Sequence, residues 1–373
     1  MPTPSTRPTN WQRRSDIQHG SMSGDEMSQT EQPKDSRQAY YDRIAPANLT
    51  PLWEVLADLV PSEPKVQAVP AVWHYDDIRP YIMEAGGLIT AKEAIRRVLI
   101  LENPNLRGQS KITNTLYAGL QLILPGELAP AHRHTPSALR FIVEGSGAYT
   151  AVEGEKTIMQ PGDFVITPSW AWHDHGNESN EPMVWLDGLD FPIVNFFDAG
   201  FAEELDAECQ PLSRPPGDSL ARYGAGLLPM GYESVSPASP IFNYPYERTR
   251  EALEQMRRSE EWDACHGLKM RYVNPATGDH AMPTMATFMQ LIPAKMSTAP
   301  YRATDGMVYS VVEGSGRTFA GGEELPWGPR DTFVIPSWCS HHHEVDGDAV
   351  LFSFSDLPIQ EKFGLWRQDR GNH

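Results

Sequence analysis

An all-β chain built from two tandem copies of one domain is what this sequence predicts, and three observations carry that reading. From Leu116 onward, short apolar runs alternate with Gly- and Pro-rich turns, the pattern of a β-sandwich or barrel. Two separate blocks recur. Phe141-Ile-Val-Glu-Gly-Ser-Gly returns as Ser310-Val-Val-Glu-Gly-Ser-Gly, and Phe164-Val-Ile-Thr-Pro-Ser-Trp as Phe333-Val-Ile-Pro-Ser-Trp. The shift is 169 residues at Glu144 and 168 at Pro168, and so constant an offset means an internal duplication.

The elements follow in chain order. Met1 to about Ser36 lacks periodicity and is expected to be disordered, giving a tail over 1–37. A helical arm is expected over 38–100. Its first helix runs from Gln38 to Val60, broken near Thr50-Pro51, with Leu52, Val55, Leu56 and Leu59 in one apolar stripe; a shorter one covers Ala91 to Arg97. The first β domain takes 101–200, with strands at Leu116–Leu124, Leu139–Val143, Phe164–Thr167 and Val184–Leu186, and hairpin turns at Gly126, Gly145 and Gly162. Residues 201–266 lose the pattern, carry Pro215-Pro216 and one helical run from Glu247 to Trp262, and read as a connector. The second copy occupies 267–358 and a tail 359–373.

Composition narrows the function. Lys+Arg 31 against Asp+Glu 49 gives a net charge of −18, which argues against nucleic-acid and anionic-membrane partners. Cys209, Cys265 and Cys339 are too few and too far apart for a disulfide framework or thiolate zinc site, and are expected to be buried free thiols. No stretch is long and apolar enough for a membrane span, and the N-terminus has no secretory pattern, so a cytoplasmic location is expected.

The chemistry concentrates around His132-Arg133-His134. On a strand, side chains two apart share a face, so His132 and His134 converge while Arg133 points away. His173 is expected to add a third imidazole from a neighbouring strand pair across the barrel. Three neutral imidazoles suit iron, zinc, copper or nickel and leave coordination positions open. His175 shares the face of His173 and is expected inside, near the metal; Asp174 points the other way, to a structural role. Asp187 is a candidate for orienting a histidine or a substrate hydroxyl. Arg140, in an otherwise apolar strand, could pair with a substrate carboxylate or with an internal acid, and Arg96-Arg97 could supply another cation. In the second copy Tyr301 and Ala303 replace His132 and His134, and only His341-His342-His343 remains, so that copy is expected to be structural.

The first copy spells Gly126-x5-His132-x-His134 and Gly162-x5-Pro168-x4-His173-x3-Asn177, which resembles the two motifs of the cupins. The fold implied is a bicupin, two tandem jelly-roll β-barrels with an N-terminal helical arm. The glutamate that often follows the HxH is absent: Ala138 and Leu139 stand there, so the site is purely histidine and a divalent ion keeps its full charge. Ala131-His-Arg-His-Thr-Pro-Ser-Ala-Leu-Arg-Phe-Ile-Val-Glu-Gly and Pro168-Ser-Trp-Ala-Trp-His-Asp-His-Gly-Asn further resemble gentisate 1,2-dioxygenase and its relatives acting on salicylate and 1-hydroxy-2-naphthoate. The likeness runs from about Tyr41 to Pro358.

The resemblance implies Fe(II) on His132, His134 and His173, a homotetramer, and an aromatic 2-hydroxycarboxylate opened by O2. It implies Arg140 and Arg96 on the substrate carboxylate, with Gln121, His175 and Asp187 around the ring. Tyr117 stands where relatives of broader specificity carry tryptophan, and its hydroxyl favours gentisate over salicylate. A zinc or manganese cupin isomerase or hydrolase is the rival within the same ligand set. A non-catalytic bicupin would predict both copies degenerate, whereas one retains its histidines.

Overall fold

The computed structural model describes residues 34–259 and 262–371, so the disorder expected for the N-terminal tail falls outside the described residues, save that Lys34 already begins a helix. Two compact units divide at Ser62. The first holds α1 (Lys34–Ile44) and α2 (Leu52–Leu59), the break falling at Thr50-Pro51 as the sequence indicates. Trp53 Nε1 donates to the Tyr41 hydroxyl across that break (2.9 Å).

The second unit opens with β1 (Ala71–Trp73), α3 (Tyr75–Leu88), α4 (Ala91–Ala94) and β2 (Val98–Ile100). The first copy continues as β3 (Tyr117–Ile123), β4 (Leu128–His134), β5 (Ala138–Glu144), β6 (Ala148–Val152), β7 (Glu155–Ile158), β8 (Phe164–Thr167), β9 (His173–Asn177) and β10 (Met183–Leu189), capped by α5 (Phe191–Phe196). Then come β11 (Ala202–Glu204), α6 (Asp218–Tyr223), β12 (Asn243–Tyr244) and α7 (Tyr246–Arg257). The second copy runs through β13 (Leu268–Arg271), β14 (Ala286–Ile292), β15 (Arg302–Ala303), β16 (Met307–Glu313), β17 (Gly316–Ala320), β18 (Glu323–Trp327), β19 (Thr332–Ile335), β20 (His341–Val345) and β21 (Ala349–Ser355), then α8 (Leu357–Lys362) and β22 (Gln368–Asp369).

Each copy is a jelly-roll barrel with a six-stranded wall, β12-β8-β5-β10-β3-β2 in the first and β1-β19-β16-β21-β14-β13 in the second. The outward faces of these walls pack on each other. Phe141 stacks on Phe352 with centroids 4.2 Å apart, and Leu139, Phe164, Leu186, Val308, Val334 and Phe354 join one buried cluster. Gly188 is required at this seam, because a Cβ there would sit 2.7 Å from the Phe354 ring.

The repeated glutamates have a structural use. β1 and α3 precede the first barrel, yet β1 pairs with β19 of the second; β12 and α7 precede the second, yet β12 pairs with β8 of the first. Tyr75 donates its backbone N–H to Asp331 (2.8 Å) and its hydroxyl to Glu144 (2.9 Å), and Arg79 grips Glu144 through Nε (2.7 Å). Tyr246 repeats this with Asp163 (2.9 Å) and Glu313, and Arg250 reaches Glu313 at 3.2 Å. The lead segment of each copy is thus pinned to both barrels. Charge-assisted bonds of this kind are the stronger ones. Glu144→Ala should therefore cost about 1–3 kcal/mol in urea denaturation, whereas Glu178→Ala, at an exposed carboxylate whose partner is the half-buried Lys156, should cost roughly 0–1 kcal/mol.

Several elements differ from their sequence reading. The helix at Ala91 ends at Ala94, not Arg97, because Ile95 takes a positive φ of 59° and the chain turns into β2. The helix at 246–257 is shorter than the expected Glu247–Trp262. α3 contains Pro80 as well as Gly86 and Gly87, breakers that hid it; Asp76 and Asp77 in its first turn favour its N-terminus. Of the free cysteines only Cys265 is buried, Cys209 being exposed, so the expectation of three buried thiols fails.

Candidate metal centre

β4 and β9 lie side by side, antiparallel, with His132 opposite His173. The third histidine therefore comes from the adjacent strand, not from across the barrel. A register shift between Ala129 and His132 turns the end of β4 inward. One ligand atom from each of His132, His134 and His173 falls within 4.8 Å of the others, and theirs is the one such group found among the described residues. Ring centroids stand 4.4 to 5.3 Å apart.

The protonation pattern fits a cation. His134 Nδ1 faces the Pro136 carbonyl (2.7 Å) and His173 Nδ1 faces that of Ala171 (3.0 Å), each fixing its ring. His173 Nε2 and His132 Nδ1 are buried with no hydrogen-bond partner. Burial, then the charges of Arg96 and other neighbours, push His132 down to about 2. Burial likewise lowers His134 to about 4 and takes His173 well below its ordinary value. All three imidazoles are neutral at neutral pH. A divalent metal fits these residues.

Arg133, between two of these histidines, explains how the strand is held. Its guanidinium lies 4.6 Å from the rings of both Trp170 and Trp172, and its Nε donates to Glu203 on β11 (2.7 Å). The side chain that points away thus ties β4 to the segment leading into His173. Arg133→Ala should loosen metal binding by roughly 10- to 100-fold, the range for an outer partner, measured by metal competition, with the fold unchanged by circular dichroism.

The remaining candidates line the inside of the six-stranded wall. In register, Gln121 lies beside Trp185, Arg140 beside Asp187, and Tyr117 beside Leu189. Arg140 is buried; it donates to Thr167 Oγ1 (2.6 Å), and its Nε stands 3.6 Å from Asp187. Asp187 also accepts from Trp185 Nε1 (3.0 Å), so it orients an arginine and an indole, not a histidine. Burial raises its carboxyl to about 6 against the pull of Arg140 and Arg96. Burial lowers Arg140 to about 10, and burial with the Arg140 charge lowers Arg96 to about 9.

Arg96 donates to the Pro130 carbonyl (3.2 Å). One N–H-bearing nitrogen of each arginine, Nε of Arg140 and Nη2 of Arg96, is buried without an acceptor. Arg97 is absent from this group: it is spent on Glu127 (2.7 Å) and the Ile89 carbonyl (2.8 Å). His175 points inward, 5.5 Å from Trp185, with Nδ1 on Thr150 Oγ1 (2.9 Å) and Nε2 unpartnered. Asp174 points out and accepts from Gln210, a structural role. Tyr117, Val98, Ala138, Leu189 and Phe191 form an apolar cluster beside the histidines, with Phe191 6.1 Å from His134.

Thr150, Thr167 and the Arg133 clamp escaped the sequence reading. Only strand register reveals them. Among the described residues no helix is long and apolar enough to cross a membrane.

Known proteins place this geometry. The family model for the cupin domain matches residues 119–189. A gentisate 1,2-dioxygenase of Aquipseudomonas alcaligenes is 56% identical over 92% of this chain and its own entire length. A 5-aminosalicylate 1,2-dioxygenase of Comamonas is 37% identical over 88% of this chain and 89% of that protein. The crystal structure of salicylate 1,2-dioxygenase from Pseudoaminobacter salicylatoxidans with gentisate superposes with a TM-score of 0.86, at 35% identity, over 93% of this chain and 98% of that one. With a duplicated barrel and a three-histidine centre in one copy, the chain belongs to the gentisate 1,2-dioxygenase family of ring-cleaving cupin dioxygenases.

Proposed function

We propose that this protein opens gentisate between its carboxylated and adjacent hydroxylated carbons, adding both atoms of O2 to give maleylpyruvate, with Fe(II) held by His132, His134 and His173. The observation that carries the reading is the pair of buried, acceptor-less nitrogens on Arg140 and Arg96 beside the three imidazoles. Arg140 and Arg96 share Asp187, and Asp174, which points out of the barrel, adds only a smaller pull on Arg96, so the pocket is short of an anion.

The substrate carboxylate supplies it. Arg140, braced by Thr167, and Arg96 bind and orient that group. Tyr117 keeps its phenol protonated, since burial raises its pKa, and can donate to the ring hydroxyl that distinguishes gentisate from salicylate. Gln121 sits on the same strand face as Tyr117, toward the ring. His175, with Nε2 free, and Asp187, at about 6, are the groups able to hold or move the proton of the 5-hydroxyl. Phe191, Leu189 and Val98 keep water from the reacting face. Bound iron would supply electron transfer between the electron-rich ring and dioxygen.

We further propose a homotetramer, because the apolar stripe of α2 (Leu52, Trp53, Leu56 and Leu59) is exposed on the single chain; light scattering checks it. The activity is tested by anaerobic Fe(II) loading, then air and gentisate. Stoichiometric oxygen uptake with a new ring-fission absorbance is expected. Turnover of salicylate or 1-hydroxy-2-naphthoate but not gentisate would overturn the substrate, and activity with zinc or manganese in place of iron would favour the isomerase or hydrolase rival.

A further inference from the structure

The second barrel has no metal group among the described residues, yet its interior is not apolar filling. Strand register shows what replaced each part of the first site. Tyr301 faces His341 as His132 faces His173. Tyr309 pairs with Ser353 as Arg140 pairs with Asp187. Lys269 pairs with Gln290 as Val98 pairs with Gln121. The barrel has therefore exchanged an apolar wall residue for a cation and a metal ligand for a phenol.

Among the described residues Lys269 Nζ makes no ion pair or hydrogen bond. Its Nζ lies 4.6 Å from the centroid of Phe288 and 5.9 Å from that of Tyr309. The nearby carboxylates are engaged elsewhere: Asp305 accepts from Trp366 Nε1 (2.9 Å), and Asp263 binds Arg370 (2.5 Å). Around the ammonium stand His266, 4.6 Å from Tyr301, and His343, 5.4 Å from Tyr309, with His341 5.8 Å from Tyr301. Burial holds these imidazoles below their ordinary value, so they are neutral. On the inner face of this wall two fully buried polar atoms lack partners, Gln290 Oε1 and Ser353 Oγ. An acceptor wanting a hydroxyl, a donor, and an ammonium beside aromatic rings that Asp305 and Asp263 reach only through space define the missing occupant.

We propose that the second barrel is a metal-free binding site for a small hydroxyaryl carboxylate, held by Lys269 through its carboxylate and by Gln290 through its hydroxyl. Aromatic rings beside the ammonium suit an aryl acid over an inorganic anion. The site is separate from the histidine centre and stands whether or not gentisate is that centre's substrate.

Calorimetric titration of the Fe(II)-loaded full chain with gentisate, without oxygen, tests it. The wild type is expected to bind two equivalents per chain. Lys269→Met should bind one, with first-barrel turnover retained as proof of folding, and Tyr301→Phe should bind the second equivalent several-fold more weakly. Arg140→Ala should lose the other equivalent instead, which separates failure of this site from failure of the first-barrel reading. A Lys269→Met protein that binds as many equivalents as the wild type, or one equivalent in both, overturns the proposal.

Discussion

His173→Ala is expected to remove metal binding and with it ring cleavage, while the barrel stays folded. His173 is fully buried, opposite His132, and contributes one of only three imidazoles, with no carboxylate in reserve at Ala138 or Leu139. Loss of an outer partner costs roughly 10- to 100-fold in metal affinity, so loss of a ligand should exceed about 100-fold. Removing a buried, unpartnered imidazole nitrogen also relieves the apo protein of a desolvated group. The vacated volume and the lost contact with the Ala171 carbonyl oppose that relief, so the apo variant should stay close to the apo wild type in stability, though it loses the stabilisation that bound metal confers. Metal content after gel filtration and thermal melts with and without Fe(II) separate the two effects.

Arg140→Ala is expected to cripple substrate capture while leaving the metal in place. Arg140 is buried and braced on Thr167, and its Nε–H, 3.6 Å from Asp187, makes no hydrogen bond. Truncating one partner of a buried charge pair costs about 2–5 kcal/mol, which is roughly 30- to 4000-fold in kcat/KM at about 1.4 kcal/mol per decade. Most of the loss should appear in KM, since the carboxylate is bound alike in ground and transition states. Arg140→Lys should recover only part of it, because an ammonium cannot offer the same planar pair of donors. Asp187 would lose the cation that most opposes its burial, so its carboxyl should rise further above about 6. Equal losses in kcat with unchanged KM would show that Arg140 is not where the carboxylate lands.

The residues legible in advance were those set by period and spacing. His132, His134 and His173 converge because strand side chains alternate and the two motifs recur at fixed distance, and Arg140 was visible as a charge in an apolar strand. Contacts that depend on register were not legible. Nothing in the spacing of Asp187 says that Arg140 lies opposite it, nor that Thr150 will meet His175. The duplication was readable, but its exchange was not: β1 is three residues long and β12 two, too short for alternation, and each pairs with the other copy. The Val-Glu-Gly-Ser-Gly repeat signalled a duplicated turn, whereas its glutamates serve to bind the opposing helices.

Ring cleavage by O2 is the central claim, and isotope labelling reads it most directly. The Fe(II)-loaded chain is given gentisate under 18O2, and the product is weighed. One ring-opened maleylpyruvate carrying both labelled atoms is expected. A product with an intact ring, or with only one labelled atom, would contradict it.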